Sequence, residues 1–382
     1  MPIDFNDPTP YYKQIAEYLR KKINSDKYPV GERLPSQREM AETFDVSMIT
    51  IKKAIYDLIN EGLLYSRVGK GTFVLRKSTP QQFEKHKTLG LVLSDLKSPY
   101  FSLIVHSVEK QASEEGYSLL VANSSGEFEK EERQIAHYLE MNVDGLIIAS
   151  MSHEYRANKT IRKLHNEGYP YVVVSFIADN DIYRVGADQY EGAFMATQHL
   201  IDHEYQHIGY VSAEQGNIVG EIRKQGFIDA LAKAHLPFDE SQIYAYPYRG
   251  EWNDFDSGYA VGKDILKRGH LPEAFFIYND LGALGFEKAL EEEGITCPDD
   301  IAIIGFDDIE RSEYCSVPLT TIRQPTENIG TLAVEKLINR INGENPEVQT
   351  ILSPELVVRD SCGVHRIAER TTRKKEMRRV YN

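Results

Sequence analysis

Two sets of side chains in this sequence could do chemistry. The first gathers carboxylates, amides, hydroxyls, a cation and aromatic rings just beyond short apolar runs. It comprises Ser94-Asp95 with Ser98-Pro99-Tyr100-Phe101, then Asn123-Ser124, Ser175, Asp188, Asn279-Asp280 and Asp307-Asp308. Arg223 follows the run HIGYVS, and Trp252, the only tryptophan, sits in RGEWNDFDSG. Together these groups suit a polyhydroxylated ligand: the polar atoms bond hydroxyls and an aromatic ring stacks on the C–H face. Asp and Asn in such places also cap helices, and that plainer role accounts for about half of the set. The second set is cationic. Met48, Ile49, Thr50, Lys52 and Lys53 occupy the outer face of one helical pattern near its start, and Lys70 sits at the tip of a Gly-Lys-Gly turn flanked by Arg67. Side chains of these types reach base edges and phosphates.

The elements that must hold the cationic set lie between residues 10 and 76. Ile15, Leu19 and Ile23 make an apolar stripe with a helical period. Tyr28-Pro29 and Gly31 end it. Ser36 and Glu39 form a capping box that opens a second helix with Met40, Ala41 and Phe44 inward. Asp45-Val46 makes a tight turn, and Ser47 caps a third helix with Ile51, Ala54, Ile55, Leu58 and Ile59 inward, ended by Gly62. LLYSR and GTFVL then pair through Val68-Gly69-Lys70-Gly71. Helix, capped helix, turn, helix and basic hairpin is the order of a winged helix-turn-helix, which puts one helix in the DNA major groove. Taken singly, each feature is better read as an ordinary helical core with solvated lysines.

The remainder alternates short apolar strands with helical patterns: LGLVLS, YSLLVAN, DGLIIAS and YVVVSF, then HIGYVS, AFFIYN and IAIIGF. Such a rhythm predicts βαβ units and helix-covered parallel sheets, arranged in two lobes, with ligand groups beyond the carboxyl ends of the strands. The expected fold is therefore α/β, an N-terminal winged helix-turn-helix plus a two-lobed domain with parallel sheets. The expected divisions are the head over 1–76, a polar linker over 77–88, the ligand-sensing domain over 89–365 and a basic tail over 366–382. Chain crossings near Asp188, Gln324 and Ser353 give one lobe of about 89–188 and 325–352, and another of about 189–323 and 353–365.

Charge follows the same divisions. The 382-residue chain carries −14 overall, yet residues 1–88 hold 15 Lys and Arg against 11 Asp and Glu, and the tail holds 7 against 2. The acidic excess belongs to the middle, so a mildly basic head remains able to neutralise phosphates. Cys297, Cys315 and Cys362 lie far apart and form neither a metal spacing nor a disulfide framework, which reads as reduced thiols in a cytoplasm. No apolar run is long enough to span a bilayer, and the N-terminus does not read as a secretory signal.

Residues 10–76 resemble the winged helix-turn-helix of the GntR family of bacterial transcription regulators, through GERLPSQREMAETFDVS, IKKAIYDLINEGLL and GKGTFV. The resemblance implies DNA contacts from Arg38, from Ser47 and the helix start after it, and from the wing tip. Met48 departs from the pattern, since an arginine that reads guanine is common there, and bidentate guanine readout is lost with it. Positions 88–365 resemble the effector domain of the LacI/GalR family, which shares its fold with periplasmic sugar-binding proteins. The segments that carry this likeness include VGADQYEGAFMATQHLIDHEYQHIGYVS, IRKQGF and NDLGALGFEKALEEEGITCPDDIAIIGFDDIERSEYCSVPLTTIRQP. It implies sugar contacts from Tyr100, Phe101, Ser175, Asp188, Arg223, Trp252 or Phe255, Asn279, Asp307 and Gln324. Ser175 stands where a charged residue is common.

These readings converge on a sugar-responsive bacterial transcriptional regulator, a repressor that binds operator DNA as a homodimer and is modulated by a monosaccharide or sugar derivative between the lobes. The alternative is a solute-binding protein serving transport or chemotaxis, which the DNA-reading head disfavours. An enzyme is not expected: there is no nucleophile elbow, no phosphate-binding P-loop and no H-E-x-x-H. His199 and His203 are spaced as a helical pair but have no third ligand nearby, so a surface or capping role is expected, and neither metal nor cofactor. The basic tail reads as a solvated end.

Overall fold

A computed structural model of the protein describes residues 3, 7–67, 69–75, 87–150, 156–247, 253–268 and 271–363. Trp252, Val68, linker residues 77–86 and the tail 366–382 lie outside the described residues. The chain forms two compact units, Met1–Gly186 with Thr326–Thr350, and Ala187–Pro325 with Ile351–Asn382.

The first unit begins with the head: α1 (Tyr11–Asn24), α2 (Gln37–Phe44), α3 (Met48–Asn60), β1 (Leu64–Arg67) and β2 (Gly71–Val74). Ser36 Oγ accepts from Glu39 N at 3.2 Å and Glu39 Oε2 accepts from Ser36 N at 2.7 Å, which closes the capping box at α2. Asp45 takes a left-handed backbone to end α2, and Ser47 Oγ accepts from Thr50 N to cap α3. At the far end of α3, Leu63 N donates to Leu58 O and Gly62 N to Ile59 O, satisfying carbonyls the helix leaves open. The hairpin β1–β2 is antiparallel, with Arg67 opposite Gly71. Its turn needs glycine: Gly71 has φ 110°, and a Cβ there would lie 2.7 Å from Arg33 Nε. Ile15, Leu19, Ile23, Ile51, Ala54, Leu58 and Val74 form one buried core beneath these elements.

The rest of the first unit is a six-stranded sheet in the order β13-β7-β6-β5-β3-β4. Its strands are β3 (Thr88–Leu93), β4 (Ser118–Asn123), β5 (Gly145–Ile148), β6 (Tyr171–Val173), β7 (Arg184–Ala187) and β13 (Gln349–Leu352). Helices α4 (Pro99–Glu114), α5 (Phe128–Glu140), α6 (Lys159–Asn166) and α12 (Thr326–Asn342) accompany it. The pairings from β4 through β3, β5 and β6 to β7 are parallel. Because β3 already begins at Thr88, the end of the expected linker is strand.

The second unit has the parallel sheet β11-β10-β8-β9. Its strands are β8 (Ile208–Ser212), β9 (Ile243–Ala245), β10 (Ala274–Ile277) and β11 (Ala302–Ile304). Alternate side chains feed two cores. Tyr210, Phe276 and Ile304 enter the one that includes residues of α7 (Gln189–Asp202) and α8 (Ile218–Lys233). Val211, Phe275 and Ile303 enter the one with α9 (Asp254–Arg268) and α10 (Asp280–Glu292). A period of two in the strands thus buries both faces, as a parallel sheet requires. The short α11 (Arg311–Tyr314) and the antiparallel pair β12 (Thr321–Arg323) and β14 (Glu355–Val357) complete the unit.

Candidate functional site

In the second unit the chain order across the sheet reverses between β8 and β10, which leaves a crevice beyond their carboxyl ends. Polar residues follow the strands there: Asn279 after β10, Asp307 after β11 and Gln324 after β12. Arg223, on α8, is 3% exposed. Its Nε and Nη2 donate to Gln189 Oε1 at 3.1 and 2.7 Å, and Nη1 donates to Tyr278 O. The guanidinium lies 3.6 Å from the Phe306 ring centroid and 4.6 Å from that of Tyr278, so two aromatic faces fix its plane. Gln189 Nε2 donates to Gln324 Oε1 at 2.9 Å, and Gln324 Nε2 donates to Asp307 Oδ1 at 2.7 Å. Arg223 Nη2 stands 3.8 Å from Asp307 Oδ1. Two side chains on helices and two just past strands therefore form a chain of donors and acceptors, which the approach of Arg223 to Asp307 closes into a ring.

Burial pushes the Asp307 carboxyl up to about 7, with Arg223 opposing the shift and Asp280 adding to it. Asp307 also takes φ 120°, a strained backbone for any residue with a side chain. Asp280 is fully buried and accepts from Ile309 N at 2.9 Å, Ser312 Oγ at 2.7 Å and Thr321 Oγ1 at 2.5 Å. It ties α10 to the segments that carry Asp307 and Gln324, and desolvation raises it to about 6.

Several of the expected residues act as caps or turn residues. Asn279 Oδ1 accepts from Gly282 N, while its Nδ2 donates to Asp254 Oδ2 at 2.5 Å. Asp188 Oδ1 accepts from Glu191 N at 2.9 Å at the start of α7. In the first unit, Asp95 and Asn123 hold tight turns through Lys97 N and Ser125 N. Tyr100 and Phe101 stand half-buried at the start of α4, their rings edge to face at 5.3 Å. Ser94 Oγ and Ser175 Oγ are buried with no hydrogen-bond partner in the first unit, both just past strand ends. The sequence signals did not single out Gln189, Asp254 or Phe306, although Gln189 follows Asp188 at a strand-to-helix junction.

The head places its cations unequally. Arg38 is 85% exposed beside Glu42, Lys70 is exposed at the hairpin tip, and Arg67 stacks over Tyr65. Met48 is exposed and Lys52 half-buried. Lys53, expected on the outer face, is instead 2% exposed and Thr50 5%. Both are covered by the chain itself: Lys53 meets the loop after α5, and Ser47 and Thr50 meet Glu167. His199 also departs from expectation. It is buried beside Cys362, with Nε2 to Sγ 3.4 Å, because α7 faces the core at that turn. Among the described residues no cluster of His, Cys, Asp or Glu could hold a metal, and no helix is long and apolar enough to cross a membrane.

Comparison with known proteins adds to this geometry. Residues 11–74 match the model of bacterial regulatory proteins of the gntR family, and residues 197–362 match that of the periplasmic binding protein-like domain. The arabinose metabolism transcriptional repressor of Geobacillus stearothermophilus is 31% identical over 360 residues, covering 92% of this chain and 97% of that protein. The transcriptional repressor PurR of Pasteurella multocida is 34% identical over 277 residues, covering 72% and 81%. A LacI family transcriptional regulator from Enterococcus faecium, solved with bound ribose, aligns with a TM-score of 0.63 at 27% identity, covering 72% of this chain and 98% of that one.

Proposed function

Because the chain belongs to the LacI/GalR-type bacterial transcriptional repressors and carries a GntR-family DNA-binding head, we propose that it is a cytoplasmic homodimer that leaves its operator when a monosaccharide or sugar derivative occupies the Arg223–Asp307 cluster. The closed ring of Arg223, Gln189, Gln324 and Asp307 carries this reading. It offers charged donors, a carboxylate and amides around one point, which is the chemistry that sorts hydroxyl positions. Asp188 precedes Gln189 and caps the helix that holds it, and Asn279 follows Tyr278, whose carbonyl accepts from Arg223, and caps α10. Tyr100, Phe101 and Ser175 offer an aromatic face and an unpaired hydroxyl on the first unit, and Trp252 is a further stacking residue implied by resemblance. Two relatives point the same way: one is named for arabinose metabolism and another was solved with ribose.

On the DNA side, Arg38, Lys52, Arg67 and Lys70 serve phosphates and the exposed Met48 approaches base edges, whereas Thr50, covered by Glu167, reaches them only once that cover is removed. Two heads reading a pseudo-palindrome supply the footprint one head lacks. Ligand acts on operator affinity only as far as it prefers one conformation of the protein.

A thermal-shift panel of monosaccharides and sugar phosphates tests the ligand class. At least one sugar raises the melting temperature of the parent by mass action. Arg223→Ala, or the milder Arg223→Lys, needs more than about tenfold higher sugar for the same rise, since losing a charge-assisted hydrogen bond costs roughly 1.5–3 kcal/mol. A parent indifferent to every sugar, or folded variants that respond like the parent, would sink the proposal.

A further inference from the structure

The residues that cover α3 carry a consequence for DNA binding. In an α-helix, positions three and four apart stack on one face. Ile51, Ala54, Ile55 and Leu58 take the face toward the core of the head. Ile49 and Lys53, four apart, point the opposite way, which in a helix-turn-helix is the direction that enters the groove. Neither is available. Ile49 packs against the core of the six-stranded layer. Lys53 Nζ donates to Asn142 O at 3.1 Å, to Val143 O at 3.2 Å and to Asp144 Oδ1 at 3.4 Å. At the first turn, Ser47 Oγ donates to Glu167 Oε2 at 2.8 Å, and Thr50 Oγ1 to the same oxygen at 3.3 Å. Lys13 Nζ adds a bond to Ile341 O from α1.

The chemistry of this contact copies that of a DNA backbone. Glu167 sets an anionic oxygen at the positive end of α3, where a phosphate is favoured. Asp144 sets a second carboxylate on the lysine. A helix with its side chains is about 10–12 Å across and the major groove about 12 Å wide, so a helix with a protein wall on its leading face has no room to enter.

We propose that the head has a DNA-silent docked state, latched by Glu167 and Asp144 of its own chain acting as phosphate mimics. The proposal rests on the reading of α3 as the groove-entering helix. Operator binding first requires undocking, so measured affinity is the intrinsic affinity reduced by the undocked fraction.

Two readouts on the full-length protein test it. The first is lysine acetylation by an acyl ester, followed by mass spectrometry at single residues. In the parent, Lys53 reacts much more slowly than its half-exposed neighbour Lys52; in Glu167→Ala, Lys53 speeds up. The second is the affinity for a fluorescent mixed-sequence duplex at low salt, where phosphate contacts dominate. Glu167→Ala binds it about tenfold more tightly, the scale of one lost charge-assisted bond in the latch. Glu167→Gln, which keeps the shape, moves the same way by less. Glu140→Gln, an exposed acid on α5, controls for the removed charge and changes affinity little.

Lys53 reacting as fast as Lys52 in the parent would overturn the docking and leave the DNA reading untouched. Lys53 released in Glu167→Ala with no gain in duplex affinity would overturn the silencing, because α3 would then not be the DNA face. A gain matched by Glu140→Gln would reduce the effect to net charge and overturn the latch.

Discussion

Asp307 is one of the second unit's carboxyls raised by burial. Its carboxyl is held up to about 7 mainly by burial, against an ordinary value near 3.8. The folded protein therefore binds this proton more tightly than the unfolded chain. Stability from this group is fully present below the unfolded value and is lost as pH rises through about 7. In Asp307→Asn the loss disappears. Urea unfolding between about pH 5 and pH 8 is expected to show a shallower decline for the variant than for the parent; parallel declines would contradict the assignment. The candidate residues were readable to unequal degrees. Asn279 and Asp307 could be picked out because each stands just past an apolar strand pattern, and Arg223 because it lies on the helix after one. Gln189 could not, since a glutamine in a first helical turn is ordinary. Its place in the cluster arises only when α7 brings it against Arg223 and Gln324 together. Glu167 was hidden for the same reason: it ends α6, and nothing local marks it as the partner of Ser47.

Among the elements, α9 and α10 are a pair whose spacing bears on the candidate ligand residue Asn279. They meet backbone to backbone. A Cβ on Gly258 would lie 2.0 Å from Gly282 O, and one on Gly285 2.0 Å from Phe255 O. The pair carries Asp254 at the start of α9 and Asn279 at the cap of α10, joined by the bond between them. Gly258→Ala must push the helices apart, because the obstacle is backbone rather than a side chain that could swing away. The expected cost is about 1–3 kcal/mol in denaturant unfolding, with weaker sugar binding as Asn279 loses Asp254. Unchanged stability would mean the helices have slack that the close contacts deny. The capped helices of the head were legible from Ser36, Glu39, Ser47 and Gly62, since caps are local chemistry. The α9–α10 contact was not, because small residues in NDLGALGF and DSGYAVG do not say which helices will cross.

At the scale of the molecule, a GntR-family head and a periplasmic-binding-protein-like body occupy one chain, and the uneven charge along the sequence already suggested that division. The βαβ rhythm also indicated two sheets, because strands buried on both faces read as continuous apolar runs. The resting place of the head was beyond the sequence: Lys53 has the composition of a phosphate ligand and becomes a buried ion-pair member only through tertiary contact. The central claim is that a sugar at Arg223 governs DNA occupancy. It is tested most directly by fluorescence anisotropy of a labelled operator, selected by the full-length protein from random duplexes, titrated with the sugar that raises the melting temperature. The expected result is two chains per operator, release by that sugar, and an Arg223→Lys variant that binds the same operator but stays bound at sugar levels that release the parent. Operator occupancy that no sugar alters, or an Arg223→Lys variant released at the parent's sugar concentration, would contradict it.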